Sequence, residues 1–174
     1  MIEFNLAHLD SVTRAYMLAE LDSDLKTDTL AFSRDFSEHG RNAYSLVLRE
    51  ALTDGHVHTL EAALNPTFFN PERTDKNGKV TRLNLADSAA KFAGGEFNRF
   101  YLRGLCLRAI AECVAELVVY RAKAPANPRP ESEAMIGKRL LATDLLADLR
   151  ANKGFGTYLG VPMGPHSGLS ARFP

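Results

Sequence analysis

The stretch that decides the fold is GEFNRFYLRGLCLRAIAEC, residues 95–113. Phe97, Phe100, Tyr101, Leu102, Leu105, Leu107 and Ile110 leave almost no side of this segment polar, the pattern of a helix running through a core rather than along its edge. The helix is expected to open after Gly94 and Gly95, with Glu96 in its first turn, where the helix dipole favours an acid. At about 100° per residue, Glu96, Arg99 and Arg103 form one polar stripe, while Arg108, Glu112 and Glu116 form another on roughly the opposite side. One solvent face cannot hold both stripes. Either the helix kinks at Gly104 or it is threaded between two packing layers.

Outward from that helix, the first 64 residues carry helical signals. Leu6, Leu9, Val12 and Tyr16, then Leu18, Leu21 and Leu25, recur at spacings of three and four. Ser23 or Asp24 is read as the cap of a second helix, and residues 37–40 (SEHG) as a break or a tight approach within a helical pair. Residues 41–52 continue as helix, ended by Thr53, Asp54 and Gly55, and a short amphipathic segment follows over 58–64. Between 66 and 95 the periodicity disappears; Asn77-Gly78 signals a hairpin or exposed loop, and Phe68 and Phe69 point to a contact surface.

On the C-terminal side, residues 117–123 (LVVYRAK) read as a strand. APANPRPESE, 124–133, reads as an extended surface arm. Thr143 caps a short helix over 144–150, the Gly/Pro-rich stretch 154–168 forms a second arm, and 168–173 forms a last strand beside the earlier one. The expected architecture is therefore α+β, mainly α. Its parts are an N-terminal helical hairpin or bundle (1–64), a variable loop or hairpin (65–95), and a long central helix with a small C-terminal antiparallel sheet and extended arms (96–174). All three belong to a single domain, a size that 174 residues suits.

Composition narrows the function classes. With 45% hydrophobic and 24% charged residues, the chain is neither a disordered nor a membrane-spanning sequence. MIEFNLAHLD lacks a basic region before an apolar run, so no secretory signal is expected, and the location expected is the cytoplasm or a particle assembled there. Cys106 and Cys113 lie two helical turns apart, too far to bridge, and are expected to be buried apolar residues. The 21 Lys and Arg balance the 21 Asp and Glu overall, yet residues 1–38 hold eight acids and three bases, so opposite ends can attract within or between chains.

Motifs for chemistry are sparse. The histidines at 8, 39, 56, 58 and 166 offer no ligand set, with His56-x-His58 lacking third and fourth partners. Asp35 and His39 read as a hydrogen-bonded pair, and the acids at 20, 24 and 28 lack the Glu-x-x-His partner that a di-metal bundle needs. No cofactor is expected, and there is no nucleophile elbow, Walker loop or dinucleotide fingerprint. Arg99 and Arg103, with Phe100 and Tyr101, have the composition of a nucleic-acid face, but pairing of these arginines with the N-terminal acids is the favoured reading. An enzyme or enzyme accessory would need Arg99, Arg103, Tyr120, Arg121, Glu131, Ser132, Glu133 and His166 in one pocket.

Residues 95–110, VVYRAK (118–123), PRPESEAMIGKRL (128–140), LLADLR (145–150), VPMGPHSGLSARF (161–173) and TDTLAFSRDFSEHGRNAY (27–44) resemble a group of uncharacterised bacterial and bacteriophage-associated proteins. The resemblance implies a virion-associated structural protein of the head, neck or connector region, found in the virion or in the host cytoplasm before assembly. Its partners would be itself or other virion proteins, with no membrane and with nucleic acid as a weaker alternative. Such a protein acts by packing and not by catalysis. The expected interface residues are Phe68, Phe69, Arg99, Arg103, Arg121, Arg129, Glu131 and His166.

Overall fold

A computed structural model describes residues 4–125, 127–153, 156–164 and 168–174. Helix α1 (Ser11–Lys26) starts at Asp10, whose carboxylate accepts the Thr13 N–H at 3.0 Å. It runs through Ser23 and Asp24 without interruption, so neither is a cap. Asp24 is a buried member of an ion-pair network, and that role kept it inside the helix. Helix α2 (Glu38–Thr53) is capped by Ser37, and α3 (Val57–Ala63) follows a short turn. Arg14 of α1 donates to the carbonyls of Leu52 (3.0 Å) and Gly55 (2.7 Å), satisfying the otherwise orphaned C-terminal end of α2. The tight approach expected near residue 40 is present: a Cβ on Gly40 would lie 2.1 Å from the Phe68 carbonyl oxygen.

A 3-10 turn (Pro66–Phe68) leads to the hairpin β1 (Glu72–Thr74) and β2 (Val80–Arg82), paired antiparallel around Gly78, which has φ +79. Phe68 and Phe69 do not form a contact surface. They are 3% and 4% exposed and pack with Phe36, at ring centroid distances of 6.3 and 5.2 Å, because the turn directs both rings into one aromatic cluster.

Helix α4 (Leu85–Ala111) is longer than the sequence pattern predicts. It begins at Asn84, whose side chain accepts the Asp87 N–H, and passes through Gly94 and Gly95. The small residues in this half serve packing: a Cβ on Gly94 would touch the Phe4 ring at 3.3 Å. Threading explains the Glu96, Arg99 and Arg103 stripe, since α1, α3 and α6 all pack against α4, but the second stripe does not form on the helix: α4 ends at Ala111, Glu112 is its C-cap and Glu116 begins a strand. Gly104 allows a close approach to α1: a Cβ there would meet Met17 Cγ at 2.6 Å and Met17 N at 2.9 Å. Cys106 is buried and its thiol pKa is pushed up by burial, whereas Cys113 is exposed just past the helix end at φ +58, a correction to its expected burial.

The C-terminal part forms a three-stranded antiparallel sheet in the order β4 (Arg139–Leu141), β3 (Glu116–Arg121), β5 (Leu169–Arg172). The pairing of β3 with the last strand was legible; β4 was not. The 124–133 arm contains one helical turn, α5 (Pro130–Glu133). Helix α6 (Ala142–Ala151) begins one residue before Thr143. Asn98 of α4 donates to the Leu169 carbonyl (2.9 Å) and accepts from Ser170 Oγ (2.7 Å), fixing helix to sheet in a core that runs from Met17 to Ala171. No helix among the described residues is long and apolar enough to cross a membrane.

Gly104→Ala tests the helix crossing. Alanine would ordinarily favour a helix interior by roughly 1 kcal/mol, but here the added methyl meets the α1 backbone. Urea unfolding is expected to show a loss of about 1–3 kcal/mol; equal or greater stability would mean that the helices do not pack this closely.

Candidate functional site

The polar stripe of α4 splits into two environments. Arg103, 2% exposed, is enclosed by acids of α1. Its Nε donates to Glu20 Oε2 at 2.5 Å, and its two terminal nitrogens donate to Asp24 at 2.6 and 2.9 Å. Arg150 of α6 donates to Glu20, and Lys153 Nζ donates to Asp24 at 2.5 Å and to Thr29 Oγ1 at 2.6 Å. Burial pushes both carboxyls up, but hydrogen bonds from the arginines and the lysine outweigh it, holding Glu20 and Asp24 below the ordinary carboxylate range. The pairing of Arg103 with N-terminal acids is therefore real and lies within one chain. It also removes Arg103 from any interface, because its fork is fully occupied in the core.

One turn earlier, Glu96 and Arg99 lie at the floor of a cleft of about 760 Å³. Arg99 Nε is 3.2 Å from Glu96 Oε1, and its Nη1 donates to the Asn152 carbonyl at 2.5 Å. Burial raises the Glu96 carboxyl and Arg99 and Arg103 only partly offset it. The walls come from residues 31–35, the β1–β2 hairpin, the first three turns of α4, Lys153 and residues 162 and 164. Six cations (Arg34, Arg73, Arg82, Lys91, Arg99, Lys153) face three carboxylates (Asp35, Asp87, Glu96).

Asp24, outside the lining, holds Lys153, and the local pairs reduce this excess without removing it. Asp35 is shared by Arg73 at 3.3 Å and Arg34 at 3.9 Å, and Asp87 is taken by Lys91 at 2.5 Å. Arg82 is exposed and, although opposite Glu72 in the hairpin register, makes no ion pair among the described residues. Below the cleft, Tyr44 is wholly buried between Phe32 and Phe92, and its hydroxyl has no hydrogen-bond partner among the described residues. Asp148 folds the 156–164 segment back toward the site by accepting the Tyr158 N–H (3.0 Å) and the Leu159 N–H (2.6 Å).

Comparison with protein-family models, with curated proteins and with solved structures finds no match to this chain. The site must be read from its own chemistry.

Of the expected interface and pocket residues, Arg99 alone among those described lines the cleft, with Glu96 of the same stripe and Asp35 beside it. Arg121 donates to Ser132 Oγ (3.1 Å) and Glu133 (2.5 Å), pinning α5 to the sheet. Tyr120 donates to the Asn5 carbonyl, while Arg129 and Glu131 are exposed on the 124–133 arm. The described members of the expected Arg/Glu/His pocket are thus dispersed, and His166 lies outside the described residues. Asp35 and His39 do not pair either: Asp35 binds arginines, and His39 packs edge-on to Phe68. Among the described residues no group of three or more His, Cys, Asp and Glu is placed to hold a metal.

Removing the Arg103 fork leaves two buried carboxylates short of partners. Arg103→Met is expected to cost about 3–5 kcal/mol at pH 7. Because Glu20 and Asp24 are held low in the native state, their contribution is present at neutral pH and is lost as pH falls through the carboxylate range. The deficit of the variant, followed by urea unfolding, should therefore shrink below about pH 4; a deficit independent of pH would contradict the network.

Proposed function

We propose that the protein binds a small phosphate-bearing anion in the cleft at the N-terminal half of α4. The observation that carries this reading is the excess of cations over carboxylates in that cleft, with Arg82 lacking a carboxylate partner among the described residues. Guanidinium groups match the tetrahedral oxygens of phosphate with paired N–H donors, and a concave wall raises the local field above that of an open surface. The volume, about 760 Å³, lies within the range of small-molecule sites. The buried Glu96–Arg99 pair supplies a fixed floor.

A second reading, packing into a repeated virion assembly in the virion or host cytoplasm, rests on the sequence resemblance. The side chains of Leu46, Val80 and Tyr158 are the apolar groups most open to a neighbour. Three of the features that suggest assembly have uses inside the chain, the Phe pair in the core, part of the charge asymmetry in the Glu20/Asp24 network, and residues 156–164 on Asp148, whereas residues 127–131 of the other arm are exposed. A fixed copy number in sedimented particles is the result that this second reading requires.

For the anion cleft, titration calorimetry with inorganic tripolyphosphate at low ionic strength is expected to show saturable binding that weakens with added salt. Arg82→Gln, at an exposed position that costs the fold little, should lower the affinity roughly tenfold. Lys138→Gln, an exposed charge outside the cleft, should leave it unchanged. Failure of the unaltered protein to bind would overturn the reading.

A further inference from the structure

We infer that the occupant of the cleft is a nucleoside phosphate, with its base against Phe32 and its phosphates at the arginine and lysine rim; this rests on the anion-binding reading above. A site for bare phosphate needs only cations, yet this cleft carries an aromatic wall. Phe32 and Phe92 are the aromatic side chains in its lining, and Phe32 is 40% exposed although it belongs to a chain that buries most of its other phenylalanines. A partly exposed phenyl ring inside a concave charged site offers a flat apolar face on which a ligand ring can stack. Tyr44 backs Phe32 at a centroid distance of 6.0 Å with the rings edge-on, and Tyr44 in turn contacts Phe92 at 5.2 Å, so the wall is a braced aromatic platform and not a single loose ring.

The remaining lining groups suit the middle of such a ligand. Asn84 and Ser88 line the same cleft, and because Asn84 Oδ1 is engaged in capping α4, its side-chain NH₂ is left to donate. An amide donor, a serine hydroxyl and the Asp87 carboxylate can between them hydrogen-bond sugar hydroxyls or ring heteroatoms. Arg82 and Arg73 on the hairpin, with Arg34 on the 31–35 loop, then provide separate guanidinium groups for a chain of phosphates. Cations, an aromatic platform and mixed donors and acceptors in one cleft of this size fit a mononucleotide better than an inorganic anion or an apolar acid.

Four titrations of the full chain decide it: ATP, tripolyphosphate, adenosine, and a single-stranded oligoadenylate of the same total base concentration. ATP is expected to bind about tenfold more tightly than tripolyphosphate, the increment of one stacked base, and adenosine alone more weakly than either. Phe32→Ala and Phe32→Leu should both abolish the preference for ATP over tripolyphosphate; the leucine variant keeps an apolar side chain and removes the ring. Equal affinity for ATP and tripolyphosphate in the unaltered protein overturns this inference and leaves the anion cleft standing. Absence of binding to both overturns the two together, and tighter binding of the oligonucleotide than of ATP overturns the mononucleotide assignment in favour of a strand.

Discussion

The placement of one guanidinium, Arg103, between Glu20 and Asp24 constrains the rest of the structure. A charge 2% exposed is tolerated only when each of its donors has a carboxylate oxygen in reach, so the rotation and height of α1 against α4 are set by this contact. Gly104, the next residue, permits the approach by having no side chain to separate the two helices. Two carboxylates around one arginine leave negative charge over, and Arg150 and Lys153 take it up from the C-terminal side. Helix α6 is thereby fixed to the same bundle, and Lys153 is carried to the edge of the cleft.

The cleft is a consequence of that arrangement. Helix α4 points its second buried arginine, Arg99, one turn toward its N-terminus, past the end of α1, where it reaches Glu96 and the Asn152 carbonyl. Its partner is Glu96 of the same helix, and the space above the pair is closed by the 31–35 loop and the hairpin instead of by another helix. The two halves of one polar stripe therefore do different work. Arg103 is consumed by structure, and Arg99 forms the base of a site.

Much of the frame was legible in the sequence because it depends on local periodicity. The almost wholly apolar pattern of residues 97–110 announced a helix packed on more than one side, the charge imbalance of residues 1–38 announced partners elsewhere in the chain, and β3 and β5 followed from their β-branched and alternating residues. Asp24 misled because an acid beside Ser23 reads as a cap when its distant partner is invisible. The first ten residues of α4 misled because their small residues show little apolar periodicity, while their packing, as at Gly94 against Phe4, is tertiary. The 139–141 strand, three residues long, exists only by pairing with β3.

The candidate site was almost illegible for a physical reason. Its cations sit on a loop, a hairpin, a helix and the segment after α6, spread over about 120 residues of sequence, and only the fold sums their fields. Arg73, Arg82 and Lys91 fell in a region that reads as variable loop, where charge is ordinary. The most direct measurement of the central claim is a proton–nitrogen correlation spectrum, including arginine side chains, recorded while tripolyphosphate is added. The account predicts that the shifts concentrate on the Arg73, Arg82 and Arg99 side chains and on the backbone of residues 31–35 and 84–92, with β3 to β5 and the Arg103 side chain unmoved; shifts scattered over the surface, or none at all, would contradict it.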